Sequence, residues 1–135
     1  MKNKLISNWF MWAPRLQSIL RIVAAFMFIS AGTMKLFGFP SFPGLSPVPL
    51  ISELGLAGTL ETLGGVFLLL GLFTRPVAFI LAGEMAVAYF QVHFPQSFWP
   101  VINNGQPAVL YCFSWLYLSA AGAGPWSLDA KLRKK

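Results

Sequence analysis

The chain has 135 residues, of which 56% are hydrophobic and only 10% are charged, and its formal net charge is +6. Soluble domains carry about a quarter charged residues, so this composition excludes an ordinary soluble domain and favours a protein that buries its apolar surface in lipid. Most of the basic residues stand before the first apolar run or after the last one. Such a distribution is typical of the flanks of membrane spans and argues against a nucleic-acid-binding surface.

The N-terminal stretch carries Leu5, Trp9 and Trp12 at helical spacing, and Pro14 follows them. This pattern predicts a short interfacial helix that lies among the lipid headgroups and ends at the proline. A cleaved signal peptide is the alternative interpretation. It is disfavoured because the apolar region starts late and contains Arg21.

Four longer apolar runs follow, separated by a proline-rich loop, by the Arg75-Pro76 turn and by an uncharged loop. Each run has the roughly 20 residues that a helix needs to cross about 30 Å of hydrocarbon. The sequence therefore predicts a single membrane domain over residues 1–135. Its spans are predicted at about residues 17–37, 51–73, 76–94 and 107–124, with a basic cytoplasmic tail at 125–135.

The charges outside the spans set the predicted orientation. The two tails and the Arg75 turn carry the basic residues, whereas the other side carries Lys35 and Glu53 at span edges and His93. The positive-inside rule then places both termini in the cytoplasm. The predicted fold is an all-α integral membrane protein, a four-transmembrane-helix bundle with N-in, C-in topology.

Four charged side chains stand out inside the predicted spans, where each costs a few kcal/mol unless it has a partner or a function. They are Arg21, Lys35, Glu61 and Glu84. Depths counted at about 1.5 Å per residue place Arg21 near Glu84, with Glu61 one turn further, and so predict an inner polar cluster. The alternative for the two acids is a purely structural contact between helices, or protonation.

An outer polar cluster is predicted at the opposite edge of the bundle. The depth count places Lys35 level with Glu53 and His93. Purely structural alternatives stay open. Arg21 and Lys35 would then snorkel to the nearest headgroups, Glu53 would be solvated at a helix start, and His93 would be an interface residue.

The cysteine and histidine counts limit the chemistry. There is one cysteine, Cys112, and one histidine, His93. They exclude an intramolecular disulfide, a Cys-x-x-Cys motif and a bis-histidine haem supplied by one chain, and they predict no metal site.

Five segments carry a family resemblance, in the family's order: SAGTMKLFG (30–38), LETLGGVFLLLGLFTRP (60–76), FW (98–99), NGQPAVLY (104–111) and GAGPWSLD (122–129). Together they resemble the DoxX family of small bacterial membrane proteins. The resemblance implies a four-helix fold and a place in the bacterial inner membrane. At Gln106 many relatives have Glu, so an acidic role for that position is absent here.

The resemblance also implies a role in a quinone-linked redox system, because one relative, DoxD, is described as a subunit of a thiosulfate:quinone oxidoreductase. We therefore predict that the chain binds a quinone, or another lipid-soluble ligand, and that Glu61 and Glu84 act as catalytic residues that relay protons. The predicted ligand and polar cluster comprises Arg21, Lys35, Glu53, His93, Gln106 and Tyr111.

A non-catalytic assembly or scaffolding subunit of an oxidoreductase or stress-response complex is the alternative function. Whether the chain is itself an enzyme stays open, because it holds no redox centre of its own, and its electrons would come from a partner or directly from a reductant. The predicted partners are the lipid bilayer and a membrane or peripheral redox protein, with a homo-oligomer left open and no nucleic acid, metal or covalently bound cofactor. A transporter ranks last, because four short unbroken spans suit that role poorly.

Overall fold

The fold is built from helices joined by turns and loops. The computed structural model describes residues 2–134. The helices are α1 (Lys2–Phe37), α2 (Glu53–Leu70), α3 (Thr74–Ala88), a π-helical turn that continues α3 (Tyr89–His93), α4 (Gln106–Ala121) and α5 (Leu128–Arg133). No strand occurs within residues 2–134, and the predicted all-α fold is confirmed.

The first helix runs through Pro14 without ending there. The prediction that this helix ends at the proline is therefore wrong, because residues 2–13 form the first turns of α1. Their position at the membrane surface stays a prediction. Proline removes one backbone hydrogen bond, the one its N–H would donate to the Phe10 carbonyl. Good helix formers such as Ala13 and Leu16 surround it, and the loss of a single bond does not stop the helix.

Helices α2 and α3 are separated by a turn of three residues, 71–73. The Ser52 hydroxyl caps the start of α2 by accepting a hydrogen bond of 3.0 Å from the Gly55 N–H. Gly71 ends α2 in the left-handed conformation, with φ at 67°. Glycine adopts this conformation without strain, so the chain can reverse abruptly and begin α3.

Three helical stretches within the described residues are long and apolar enough to cross a membrane: Asn3–Phe37, Glu53–Leu70 and Thr74–His93. The last long helix, α4, has 16 residues, which corresponds to about 24 Å at 1.5 Å per residue. The structure therefore supports a membrane protein, since apolar helices of this length satisfy their backbone hydrogen bonds internally in lipid.

The long helices pack as two antiparallel hairpins, α1 against α2 and α3 against α4. The Phe28 ring of α1 joins the hairpins, because its centroid lies 5.0 Å from that of Tyr111 and 5.4 Å from that of Trp115, both on α4. Leu68 and Leu81 complete the buried centre. Most other large apolar side chains are exposed at the surface, as expected where lipid is the solvent.

Glycines allow α1 and α2 to approach closely. A Cβ atom on Gly32 would lie 2.7 Å from the backbone nitrogen of Thr62 and 2.8 Å from the carbonyl oxygen of Gly58. A Cβ on Gly65 would lie 2.6 Å from the side chain of Ile29. Small residues therefore bring the two backbones together on the face of α2 that carries Glu61, as in other membrane helix pairs.

Candidate functional site

A buried ion pair links α1 to α2. Lys35 lies in the last turn of α1, and Glu61 lies in the middle of α2. The Lys35 Nζ atom donates to both carboxylate oxygens of Glu61 at 2.5 Å. The Glu61 side chain is only 3% exposed and that of Lys35 20%. Because both groups are largely removed from solvent, each stabilises a charge that would otherwise be costly inside the protein.

A second acid stands beside this pair without a partner of its own. Glu84 lies on α3, and both of its carboxylate oxygens are buried with no hydrogen-bond partner among residues 2–134. It is close enough to Glu61 and Lys35 for their charges to interact. The three side chains, which we call the buried triad, therefore combine one base with two acids, of which only one acid is paired.

An aromatic side chain of α4 lies near one member of the buried triad, Glu61. Tyr111 lies close enough to Glu61 for the two groups to interact electrostatically. Its ring stacks on Trp115, with the centroids 5.7 Å apart, and Cys112 follows it as a half-buried free thiol. Tyr111, a predicted ligand residue, therefore lies within electrostatic reach of the buried triad.

The predicted pairing of Arg21 with Glu84 is wrong. Arg21 is 1% exposed, and its guanidinium donates to the carbonyl oxygen of Ala123 and, at 2.7 Å, to that of Trp126. Gln17, one turn earlier, donates to the Gly122 carbonyl at 2.6 Å. The segment after α4 folds back over this end of the bundle and supplies carbonyl acceptors, which a count of helical depth does not reveal.

The predicted outer cluster of Lys35, Glu53 and His93 does not form either. Lys35 turns inward to Glu61, because its long flexible side chain reaches well beyond the depth of its own Cα atom. Glu53 is exposed at the start of α2. The His93 Nδ1 atom lies 2.9 Å from the Asn103 carbonyl oxygen, and since a carbonyl only accepts, Nδ1 carries the proton.

Asn103 organises the loop before α4 and was missed in the sequence. It is 1% exposed. Its amide donates to the Ser97 carbonyl at 2.8 Å and to the Tyr89 hydroxyl at 3.3 Å, and its side-chain oxygen accepts from the Gly105 N–H at 2.7 Å. The Asn-Asn-Gly run is a turn signal that could have indicated it. Gln106, a predicted site residue, is exposed at the first position of α4.

Asp129 is a second residue that sequence reasoning missed. Its two carboxylate oxygens accept from the backbone N–H groups of Phe73 and Thr74 at 2.9 and 3.0 Å, and so cap the start of α3. Its own N–H donates to the Gly71 carbonyl at 2.9 Å. The turn before α3 has no side-chain cap of its own, and this local deficiency was the available signal.

The sequence profile of the DoxX family matches residues 16–94 of the chain. The chain belongs to the DoxX family. A Haemophilus influenzae protein with the description "Uncharacterized protein" is 42% identical to it over 134 residues, which cover 96% of this chain and 100% of the relative. No solved structure matches the chain.

The range matched by the DoxX profile contains the whole buried triad, Lys35, Glu61 and Glu84. Tyr111 and Asp129 lie beyond it. The contacts of Asp129 show that the GAGPWSLD segment closes one end of the helices. Among residues 2–134, no group of three or more His, Cys, Asp or Glu side chains is placed to hold a metal ion.

Proposed function

We propose that this DoxX protein is a membrane subunit of a quinone-linked redox system, which binds a quinone or another lipid-soluble ligand beside Glu84 and relays protons through Glu84 and Glu61. One observation carries the proposal. The Glu84 carboxylate is buried without a hydrogen-bond partner among residues 2–134, and it lies within electrostatic reach of an ion pair that engages the other acid. A buried ionisable group without a partner inside a membrane protein is a functional-site hypothesis by default.

The charges of the buried triad favour a proton on Glu84. Lys35 neutralises Glu61, so an ionised Glu84 would leave one net negative charge in a medium of low dielectric constant. A protonated carboxyl group removes that charge and presents an O–H donor. The donor suits a quinone carbonyl oxygen, which accepts a hydrogen bond when the quinone binds and a proton when the quinone is reduced.

Quinone reduction to quinol consumes two electrons and two protons. In the proposed cycle Glu84 gives a first proton to the reduced quinone, Glu61 takes up a proton from water and passes it to Glu84, and Glu84 gives this second proton to complete the quinol. Between transfers Lys35 pairs with the Glu61 carboxylate. The electrons come from a partner protein or from a reductant of the thiosulfate class. This chain's own residues position the ligand and move protons.

The proposal includes four membrane crossings with both termini in the cytoplasm. Its support is that the Arg21 end of α1, the turn at 71–73 and the segment after α4 meet at one end of the bundle, through the contacts of Arg21 and Asp129. Helix α4 starts at the opposite end, directly after the loop that Asn103 organises. At the C-terminal end of α4, the Gly122 carbonyl accepts a hydrogen bond from Gln17. Basic residues, among them Arg15, Arg75 and Lys131, lie at the first end, as expected of a cytoplasmic face in the inner membrane.

Substitution of single acids tests the proton relay. Membrane vesicles from cells that carry Glu84→Gln or Glu61→Gln are supplied with thiosulfate and decylubiquinone, and quinol formation is followed by absorbance. We expect Glu84→Gln to lower the rate by about tenfold or more, a typical contribution of acid–base catalysis being at least that large. Glu53→Gln, which changes an exposed acid of the same type, is the matched control and should leave the rate unchanged. An undiminished rate in Glu84→Gln at equal protein level would remove the proton relay.

The alternative, a non-catalytic assembly subunit, is favoured by the completeness of the Lys35–Glu61 pair, whose donor and acceptors satisfy each other across α1 and α2. In such a subunit the pair holds helices together, and Glu84 has no task. Glu84→Gln would then leave both the rate and the amount of complex unchanged, whereas Lys35→Met would lower the amount of complex. Comparing the two variants in the same vesicles separates the functions.

A further inference from the structure

The first turns of α1 extend beyond the rest of the protein. All residues from 3 to 16 are exposed, and the first contacts with the segment after α4 are made by Gln17 and Ser18. With 36 residues, α1 is about 54 Å long, well over the ~30 Å of hydrocarbon that a span must cross. Residues 3–13, which we call the arm, therefore project from the end of the bundle that Arg21 closes.

The arm is amphipathic around its axis. At about 100° per residue, its large apolar side chains except Met11 fall on one arc, and its polar side chains fall on the opposite arc. The apolar arc contains Leu5, Ile6, Trp9, Phe10 and Trp12, and the polar arc contains Asn3, Lys4, Ser7 and Asn8. Trp9 and Phe10 are each 73% exposed. An exposed apolar arc opposite a polar arc is typical of a helix that docks on an interface.

The basic charge of the arm and of Arg15 indicates which kind of surface the apolar arc binds. Lys4 and Arg15 are basic, and no acidic residue precedes Glu53 in the chain. The Arg15 guanidinium lies 5.1 Å from the centre of the Trp12 ring, so a positive charge and an amphipathic ring stand side by side at the border of the two arcs. Tryptophan and basic residues together are typical of helices that lie at a membrane surface and bind anionic headgroups.

A second copy of the chain fits this surface less well. Pairing two arms would bring basic residues of the same sign together, with no acid in either arm to offset them. An anionic membrane surface meets the same charges with the opposite sign and accepts the apolar arc in its acyl layer.

Pro14 is the position at which α1 can bend so that the arm lies along the membrane surface. It lies inside α1, at the edge of the bundle, where a Cβ on Gly124 would be 2.9 Å from the Pro14 carbonyl oxygen. The hydrogen bond missing at a proline makes this the easiest point at which the helix can bend. We infer that the arm turns at Pro14 and docks on the anionic phospholipid headgroups of the leaflet next to the Arg21 end, with its apolar arc in the lipid. This inference does not depend on the redox function.

Spin labels in the full-length protein test the inference. In a Cys112→Ala background, Leu5→Cys places a label on the apolar arc and Ser7→Cys places one on the polar arc. The protein is reconstituted in nanodiscs of phosphatidylcholine alone or with added phosphatidylglycerol, and the accessibility of each label to oxygen and to a water-soluble nickel complex is measured. We expect the Leu5 label to become accessible to oxygen and shielded from nickel when phosphatidylglycerol is present, while the Ser7 label stays open to nickel.

Charge variants show whether the anionic headgroup is recognised. Lys4→Gln with Arg15→Gln should reduce the docked-to-free ratio by about thirtyfold, since each basic residue near an anionic surface contributes about fivefold. Lys131→Gln with Arg133→Gln removes two exposed charges elsewhere and is the matched control, with no expected change. Equal nickel accessibility of the Leu5 label in both lipids would overturn the inference. Shielding of that label from oxygen and nickel alike would also overturn it, because it would show a protein partner or a second copy on the arm.

Discussion

Replacing Lys35 by methionine isolates the energy of the buried ion pair. The variant keeps most of the side-chain volume but leaves the Glu61 carboxylate without the cation that pairs with it. Breaking a buried pair from one side costs about 3–5 kcal/mol. Lys35 is 20% exposed and Glu61 can take up a proton in the variant, so we expect a loss near the lower end, about 3 kcal/mol.

The opposite single variant and the double variant complete the thermodynamic cycle. Glu61→Met leaves Lys35 unpaired, but this side chain can swing toward the headgroups, so the expected cost is smaller, about 1–2 kcal/mol. The double variant, with both residues changed to methionine, replaces the pair by apolar side chains of similar size and should be more stable than Lys35→Met alone. Glu84→Gln should change stability by less than about 1 kcal/mol, because no hydrogen bond of the carboxylate is lost.

The assay is reversible unfolding in mixed micelles with increasing dodecyl sulfate, followed by circular dichroism, on wild type and the four variants. The free energies of unfolding give the coupling energy between the two positions. A Lys35→Met cost below about 1 kcal/mol, or a double variant less stable than either single one, would refute the buried pair as an energetic link between α1 and α2.

Three further predictions concern the frame around the buried triad, and thermal unfolding in detergent checks each. Asp129→Ala removes the acceptor of two N–H groups at the start of α3 and should lower the free energy of unfolding by about 1–2 kcal/mol. Asp129→Asn should lower it less. Equal stability of Asp129→Ala and wild type would contradict the capping role of Asp129. Asn103→Ala leaves the partners of a buried amide unsatisfied and should cost about 2–3 kcal/mol, whereas Gln106→Ala, at an exposed position, should be near neutral. Gly32→Ala forces a methyl group onto the backbone of α2 and should cost about 1–3 kcal/mol, whereas Gly83→Ala, with open space around it, should be neutral or stabilising.

The sequence was sufficient for the class of fold and for the family, because both depend on patterns that lie along the chain. Apolar runs of membrane length and their flanking charges predict membrane helices without knowledge of their contacts. Gly58 and Gly65, which allow α1 to pack closely on α2, also stand beside Glu61 at helical spacing in the sequence. These features are local, and the helical period places them on one face.

The partners of the charged side chains could not be predicted in the same way. A depth count places Cα atoms along the membrane normal, but Lys35 reaches Glu61 through a long side chain. Arg21 finds its acceptors in a segment more than 100 residues away along the chain, which folds back only after Gly122 and Gly124 reverse it, with φ at 87° and 80°. The prediction that the helix ends at Pro14 was wrong for a related reason. The loss of one hydrogen bond at the proline was considered without the stabilising helical residues on both sides of it.

The central claim is that Glu84 holds an exchangeable proton that a lipid-soluble redox ligand takes up. Redox-induced infrared difference spectroscopy on the purified protein with bound decylubiquinone tests it most directly. We expect a carboxyl band of a protonated acid that changes when the quinone is reduced, that disappears in Glu84→Gln and that persists in Glu53→Gln. A carboxyl band that survives Glu84→Gln, or a spectrum with no carboxyl change on quinone reduction, would contradict it.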